Sequence, residues 1–166
     1  MDPIGKSPVP WLILLLGKAA MISCWFFFVA KMYNPGSMLY DSPATRVIGV
    51  VVGFTGAFIA IISLFNLGRS VSVGIPRART ELKTHGMYQV SRNPIYLGGF
   101  LMCAGSCMFS IHPVNLLLMT VMAGVHHSIV MKEEQFLEKT FGQQWMEYAQ
   151  RVPRYVGRVR RAHGGK

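Results

Sequence analysis

The chain has 166 residues, 51% of them hydrophobic and only 14% charged, with a mean hydropathy of +0.34. A soluble domain carries about a quarter charged residues, so the composition excludes an ordinary water-soluble globule, and the length leaves room for one compact helical bundle without a second domain. The net charge is +10, and no nucleic-acid motif accompanies it, so the excess is sought in membrane topology.

In chain order, the first long apolar stretch is Trp11–Ala30, broken only by Lys18. A cleaved signal peptide competes with a membrane span here. The apolar length exceeds a typical signal core and no small-residue cleavage site follows, so a span is the preferred reading. Val47–Phe65 carries no charge at all. Pro94 to Met131 is a run of 38 uncharged residues with His112-Pro113 near its middle. That is about twice the 20 residues of one bilayer crossing, and a helical hairpin follows: Pro94–Ile111 and Pro113–Met131. Each is about 18 residues, or about 27 Å at 1.5 Å per residue. The fold expected is an all-α membrane protein with about four transmembrane helices and a short C-terminal amphipathic helix at the interface.

Basic residues set the orientation. Lys6, then Arg69, Arg77, Arg79, Lys83 and Arg92, then Lys132, Lys139, Arg151, Arg154, Arg158, Arg160, Arg161 and Lys166 fall on one side of such a bundle. Only Lys31 and Arg46 fall on the other. The positive-inside rule puts both termini and the Arg-rich loop in the cytoplasm, where a basic tail also meets anionic headgroups. Polar chemistry is then gathered at the two feet of one hairpin, on one side of the membrane.

Cys24, Cys103 and Cys107 all fall inside spans. Cys103 and Cys107 are one turn apart on one helix, so neither a disulfide framework nor a metal site is expected. With Gly98, Gly99, Ala104, Gly105 and Ser106 around them, they read as small residues for close helix packing.

Two segments carry chemistry. In Leu82–Gly99, Asn93 before Pro94 is a helix start, Asn as the cap and Pro at the first helical position. Arg92 beside it adds a full positive charge and a planar fork for a carboxylate. Tyr88 and Tyr96 flank the pair. In the second segment, Leu137, Phe141, Trp145 and Tyr148 form an apolar stripe, with Glu133 and Glu134 at its edges one turn earlier and Gly142 as a possible interruption. His126 and His127 lie two turns before the acids; His127 shares a face with Glu134, and an ionisable residue in a span is a functional candidate, the alternative being a neutral, packed imidazole.

Gly86-x-Tyr88, Arg92-Asn93-Pro94-x-Tyr96-Leu97-Gly98, Glu133-Glu134-x-x-Leu137, Phe141-Gly142-x-x-Trp145-x-x-Tyr148 and Val152-Pro153-Arg154 occur in this order. Together they resemble the isoprenylcysteine carboxyl methyltransferase and phospholipid methyltransferase superfamily of integral membrane enzymes. The resemblance covers residues 66–156, a cofactor-binding core within a single domain of 1–166. It implies S-adenosylmethionine as methyl donor, held on the cytosolic side, and a lipophilic acceptor entering laterally from the bilayer. Arg92, Asn93 and Glu134 are then expected at the reacting centre. Tyr88, Arg92, Asn93, Pro94, Tyr96, Leu97, Gly98, His127, Glu133, Glu134 and Leu137 are expected around the cofactor. Its carboxylate suits Arg92 or the helix start, its ammonium and ribose hydroxyls suit Glu133 and Glu134, and its adenine suits the apolar side chains. Asn93 stands where many members of the carboxyl methyltransferase branch have His, and the chain is short. Both point away from prenylated protein, toward a lipid amine or a small isoprenylcysteine-like carboxylate as acceptor. Two rival readings of the pattern are a membrane NADPH-dependent reductase of the sterol-reductase type and a non-catalytic membrane adaptor of the same fold.

Overall fold

A computed structural model describes residues 10–33, 39–67 and 81–157. Eight of the basic residues in the topology argument (Lys6, Arg69, Arg77, Arg79, Arg158, Arg160, Arg161 and Lys166) lie outside the described residues, as does the stretch 68–80 of the expected cofactor-binding core. The described chain is helical: α1 (Trp11–Tyr33), α2 (Pro43–Leu67), α3 (Pro94–Phe109), α4 (Pro113–Phe141) and α5 (Gln143–Arg151), with a 3₁₀ turn at Gly86–Gln89 before α3.

Three helices, α1, α2 and α4, are long and apolar enough to cross a membrane. Their outward faces carry large apolar side chains such as Phe26, Phe54, Phe58 and Phe65, a surface that lipid tolerates and water does not. The third expected span is shorter than anticipated. α3 has 16 residues, about 24 Å, and stops at Phe109, beyond which the chain bonds across the bundle. The Ser110 hydroxyl donates to the Phe27 carbonyl at 2.9 Å, and the Ile111 carbonyl accepts the Leu39 amide at 3.0 Å.

The fourth helix departs the other way. It was expected to end at Met131, yet α4 runs for 29 residues to Phe141, about 44 Å. Lys132, Glu133, Glu134, Gln135 and Leu137 are all strong helix formers, and nothing among them breaks the hydrogen-bond ladder. The acidic pair therefore rides on a continuation of the long apolar helix.

The closest helix contact is α2 on α3. A Cβ built on Gly105 comes within 2.4 Å of the Gly53 amide nitrogen, and one on Gly98 within 2.6 Å of the Gly56 carbonyl oxygen. Two backbones meet at these points with no room for a side chain, the small-residue mode of membrane helix packing. α1 lies against α3 and α4, where Ala20, Cys24, Cys103 and Met122 form a buried cluster. The cysteines are thus packing residues of the interior.

Candidate functional site

Four short pieces of chain converge at the C-terminal end of α4: the α3 start, the α4 extension, α5, and the irregular residues 152–155. Gly142 makes the turn between α4 and α5 with φ +51° and ψ −119°, a backbone region essentially reserved for glycine. The turn folds α5 back so that Trp145, Tyr148 and Val152 are buried with Leu82, Leu137 and Phe141. The apolar stripe read from the sequence is therefore spent on the chain itself, and Leu137 belongs to this cluster.

Pro94 stands at the first helical position of α3 as expected, but Asn93 does not cap with its side chain. Its amide instead donates to Glu134 Oε1 at 2.8 Å. The reason is burial. Both side chains are almost inaccessible, and a buried carboxylate needs donors more than a helix terminus that begins with proline.

Glu134 is the hub. Its Oε2 accepts from Arg154 Nε at 3.0 Å and lies 2.9 Å from Arg154 Nη2, while Arg92 Nε stands 3.5 Å from Oε1. That last separation is an ion pair without a hydrogen bond, and Arg92 Nε is left buried with no hydrogen-bond partner. Burial lowers the Arg92 guanidinium from its ordinary value against the pull of the Glu134 charge. Arg154 shifts upward, chiefly through its hydrogen bond to Glu134. The Arg92 guanidinium also lies over the Trp145 ring, 5.5 Å from its centroid.

Residues 152–155 are laced to the α3 start by backbone and side chains. The Arg92 amide donates to the Pro153 carbonyl at 2.9 Å, and the Ser91 hydroxyl to the Arg154 carbonyl at 3.0 Å. Tyr148 donates to the Tyr88 carbonyl at 2.6 Å. Burial, reinforced by the nearby charge of Glu133, pushes the Tyr88 phenol up to about 12.

The two adjacent acids face different neighbours. Glu133 accepts from the Tyr96 hydroxyl at 2.9 Å, away from the arginines. His126 packs edge-on against Tyr96 and its Nδ1 donates to the Met122 carbonyl one turn back, at 2.9 Å. His127 Nδ1 lies 3.1 Å from the Tyr155 hydroxyl, and Tyr155 also meets the edge of Phe100.

Beside the Glu134 hub lies a cleft of about 480 Å³ between α4 and α5, within the 300–1,000 Å³ range of small-molecule sites. Met131, Glu134, Gln135 and Glu138 form one wall, Trp145, Met146, Ala149 and Gln150 the other, with Arg92 and Arg154 between them. Of the residues singled out from the sequence, Arg92 and Glu134 border this cleft. Asn93 stands behind Glu134, Tyr88, Tyr96, Glu133 and His127 do not line the cleft, and Pro94 is fully buried. Gly98 is occupied by α2, which leaves no gap there for an acceptor chain. Arg154, Ser91 and Tyr155 were not among the expected site residues. The Val152-Pro153-Arg154 motif was the available signal, but nothing in the sequence said that its arginine returns to an acid twenty residues earlier.

A protein-S-isoprenylcysteine O-methyltransferase B of Arabidopsis thaliana is 29% identical over 157 residues, covering 90% of this chain and 79% of that protein. The A form from the same plant is 30% identical over 108 residues, 63% of this chain and 55% of the relative. A protein-S-isoprenylcysteine O-methyltransferase of Tribolium castaneum is 27% identical over 138 residues, 80% of this chain and 48% of the relative. The matched region thus spans about half to four fifths of these curated relatives. The family model for phospholipid methyltransferases matches residues 44–144, from the start of α2 through the acidic pair to the beginning of α5. With the three apolar helices, this places the chain in that family, as an integral membrane methyltransferase.

Proposed function

We propose that the protein transfers the methyl group of S-adenosylmethionine to a lipophilic acceptor at the cytosolic face of the membrane. The observation that carries this reading is the buried Arg92 Nε, which has no hydrogen-bond partner at the edge of a ligand-sized cleft. An orphaned buried donor is costly, and a ligand carboxylate meeting Arg92 and Arg154 relieves that cost. Glu138, Gln135 and Gln150 offer acceptors for an ammonium and for hydroxyls, and Trp145 offers aromatic surface. The donor set therefore suits an amino-acid ligand with both a carboxylate and an ammonium.

When bound, the sulfonium cofactor supplies an activated methyl group. The chain's own residues bind, orient and exclude water. Glu134 keeps Arg154 and Asn93 in place, and the α3 start keeps Arg92 beside the cleft. Positioning of this kind contributes several kcal/mol to a bimolecular transfer. The site stands at the end of a helix that outruns the bilayer core, so a polar head on a hydrophobic tail reaches it from lipid. The basic residues of the 66–156 core and the tail put this end in the cytoplasm by the positive-inside rule. A lipid amine and a small isoprenylcysteine-like carboxylate both meet the requirement. The relatives' names favour the carboxylate; the family's name and Asn93 favour the lipid.

Calorimetry on the detergent-purified protein with S-adenosylhomocysteine and, separately, NADPH tests the reading. Saturable binding of S-adenosylhomocysteine alone is expected. Binding of NADPH alone, or of neither, overturns the cofactor assignment.

A further inference from the structure

Residues 143–157 join the rest of the described chain covalently at one point only, Gly142. A Cβ at Gly142 would meet nothing within 4 Å, so the glycine is required by its backbone angles and not by crowding. The segment is held by the apolar contacts of Trp145, Tyr148 and Val152, by Tyr148 on the Tyr88 carbonyl and by the Arg92 amide on Pro153. Its charged fastening is Arg154, which grips Glu134 through Nε and Nη2 while its carbonyl accepts from Ser91 and, at 3.4 Å, from Asn93. The cleft lies in the angle between the hinge and the fastening.

We propose that α5 and residues 152–157 form a lid over the cofactor cleft, hinged at Gly142, and that Arg154 is the positioning residue whose pairing with Glu134 latches it. The α5 side of the cleft moves with the lid, and the α4 side does not. A guanidinium is the suitable latch. Its planar fork fixes both the distance and the angle of the lid against a carboxylate, which a lysine ammonium does not. The pair is partly exposed on the arginine side, so water can compete for it. This inference rests on the cofactor reading for its ligand, but the lid itself is measurable with no ligand present.

The test uses the full chain in detergent micelles, as parent, Arg154→Ala, Arg154→Lys and Gly142→Ala. Hydrogen exchange is followed at the Arg92 amide, which donates to the Pro153 carbonyl and so reports lid opening. Arg154→Ala is expected to speed that exchange about tenfold to a hundredfold, as for loss of charge-assisted hydrogen bonds. Amides at the Gly53–Gly105 contact should keep the parent's protection, and Arg154→Lys should fall between. An equal rise at both places makes Arg154 a general stabiliser, and no rise at Arg92 removes the latch; either result overturns the proposal. In stopped-flow, Arg154→Ala should also release S-adenosylhomocysteine about tenfold or more faster. Gly142→Ala should change both its entry and its release, and parent rates in that variant overturn the hinge. If S-adenosylhomocysteine fails to bind the parent, the cofactor reading falls while the exchange experiment still decides the lid.

Discussion

Both ends of the bundle bury charge, and they do so differently. At the end where α1 finishes and α2 begins, Lys31 is almost wholly buried. Its ammonium donates to Asp41 at 2.7 Å and to the Phe109 carbonyl, and it lies 4.8 Å from the Phe109 ring centroid. Arg46 closes on the same carboxylate. Bonds from Arg46 and Lys31 hold the Asp41 carboxyl well below the usual carboxylate range. Lys31, Asp41 and Arg46 all have partners, and the cluster staples α1, α2 and α3 together; the unpartnered Asn115 Oδ1 at this end is enclosed in the α3–α4 packing. At the α4 end, one carboxylate serves two arginines and an asparagine, one guanidinium nitrogen is left without a partner, and a cleft stands alongside. The proposed ligand site is the end where an unpartnered charged group lies beside open space.

Substitutions can break that distinction. Lys31→Ala should give the largest effect on stability, lowering Tm by several degrees in thermal unfolding. The folded fraction should still bind S-adenosylhomocysteine with the parent's affinity. Loss of affinity at unchanged Tm would mean that the stapled end also serves the ligand. Glu134→Ala should act on the ligand as well as on the fold, because it leaves Arg92, Arg154 and Asn93 without their carboxylate. By releasing Arg154 and Asn93 it should weaken S-adenosylhomocysteine binding by about 1.5–3 kcal/mol, read by calorimetry. Glu133→Ala sharpens the contrast between the neighbouring acids. It loses only the Tyr96 bond, so the expected loss is about 1 kcal/mol if it reaches the ligand at all.

Arg92→Lys keeps the charge but removes the orphaned Nε. Ligand affinity should fall by about 1 kcal/mol while the ligand-free Tm stays near the parent's. A large Tm drop would show that Arg92 already serves the fold. The smallest effect is a pH dependence at the stapled end. A carboxyl depressed on folding contributes stability above its unfolded pKa of about 3.9 and loses it as pH falls below that value. The Tm difference between parent and Asp41→Asn should therefore be constant above about pH 5 and shrink on acidification.

Hydropathy alone disclosed the helices, because a bilayer demands continuous apolar runs and allows few ways to satisfy the backbone within them. It misjudged two ends. Met131 looked like a terminus because the charge-free run stops there, but helix propensity ignores charge and α4 continues. Ile111 looked like part of α3, yet its carbonyl is taken by Leu39 across the bundle. The Asn93-Pro94 start was legible as a start, though not that the Asn93 amide turns from the helix to Glu134.

The sequence by itself determined a membrane methyltransferase family and its apolar helices, because motifs and hydropathy are local properties of the chain. Tertiary structure decided which partners the motif residues take. It closed Gly98 with α2, divided Glu133 and Glu134 between a tyrosine and two arginines, and brought Arg154 back onto Glu134. Such pairings depend on how helices cross and where a glycine reverses the chain, and in hydrogen bonding a carboxylate answers equally to any donor that packing brings within about 3 Å.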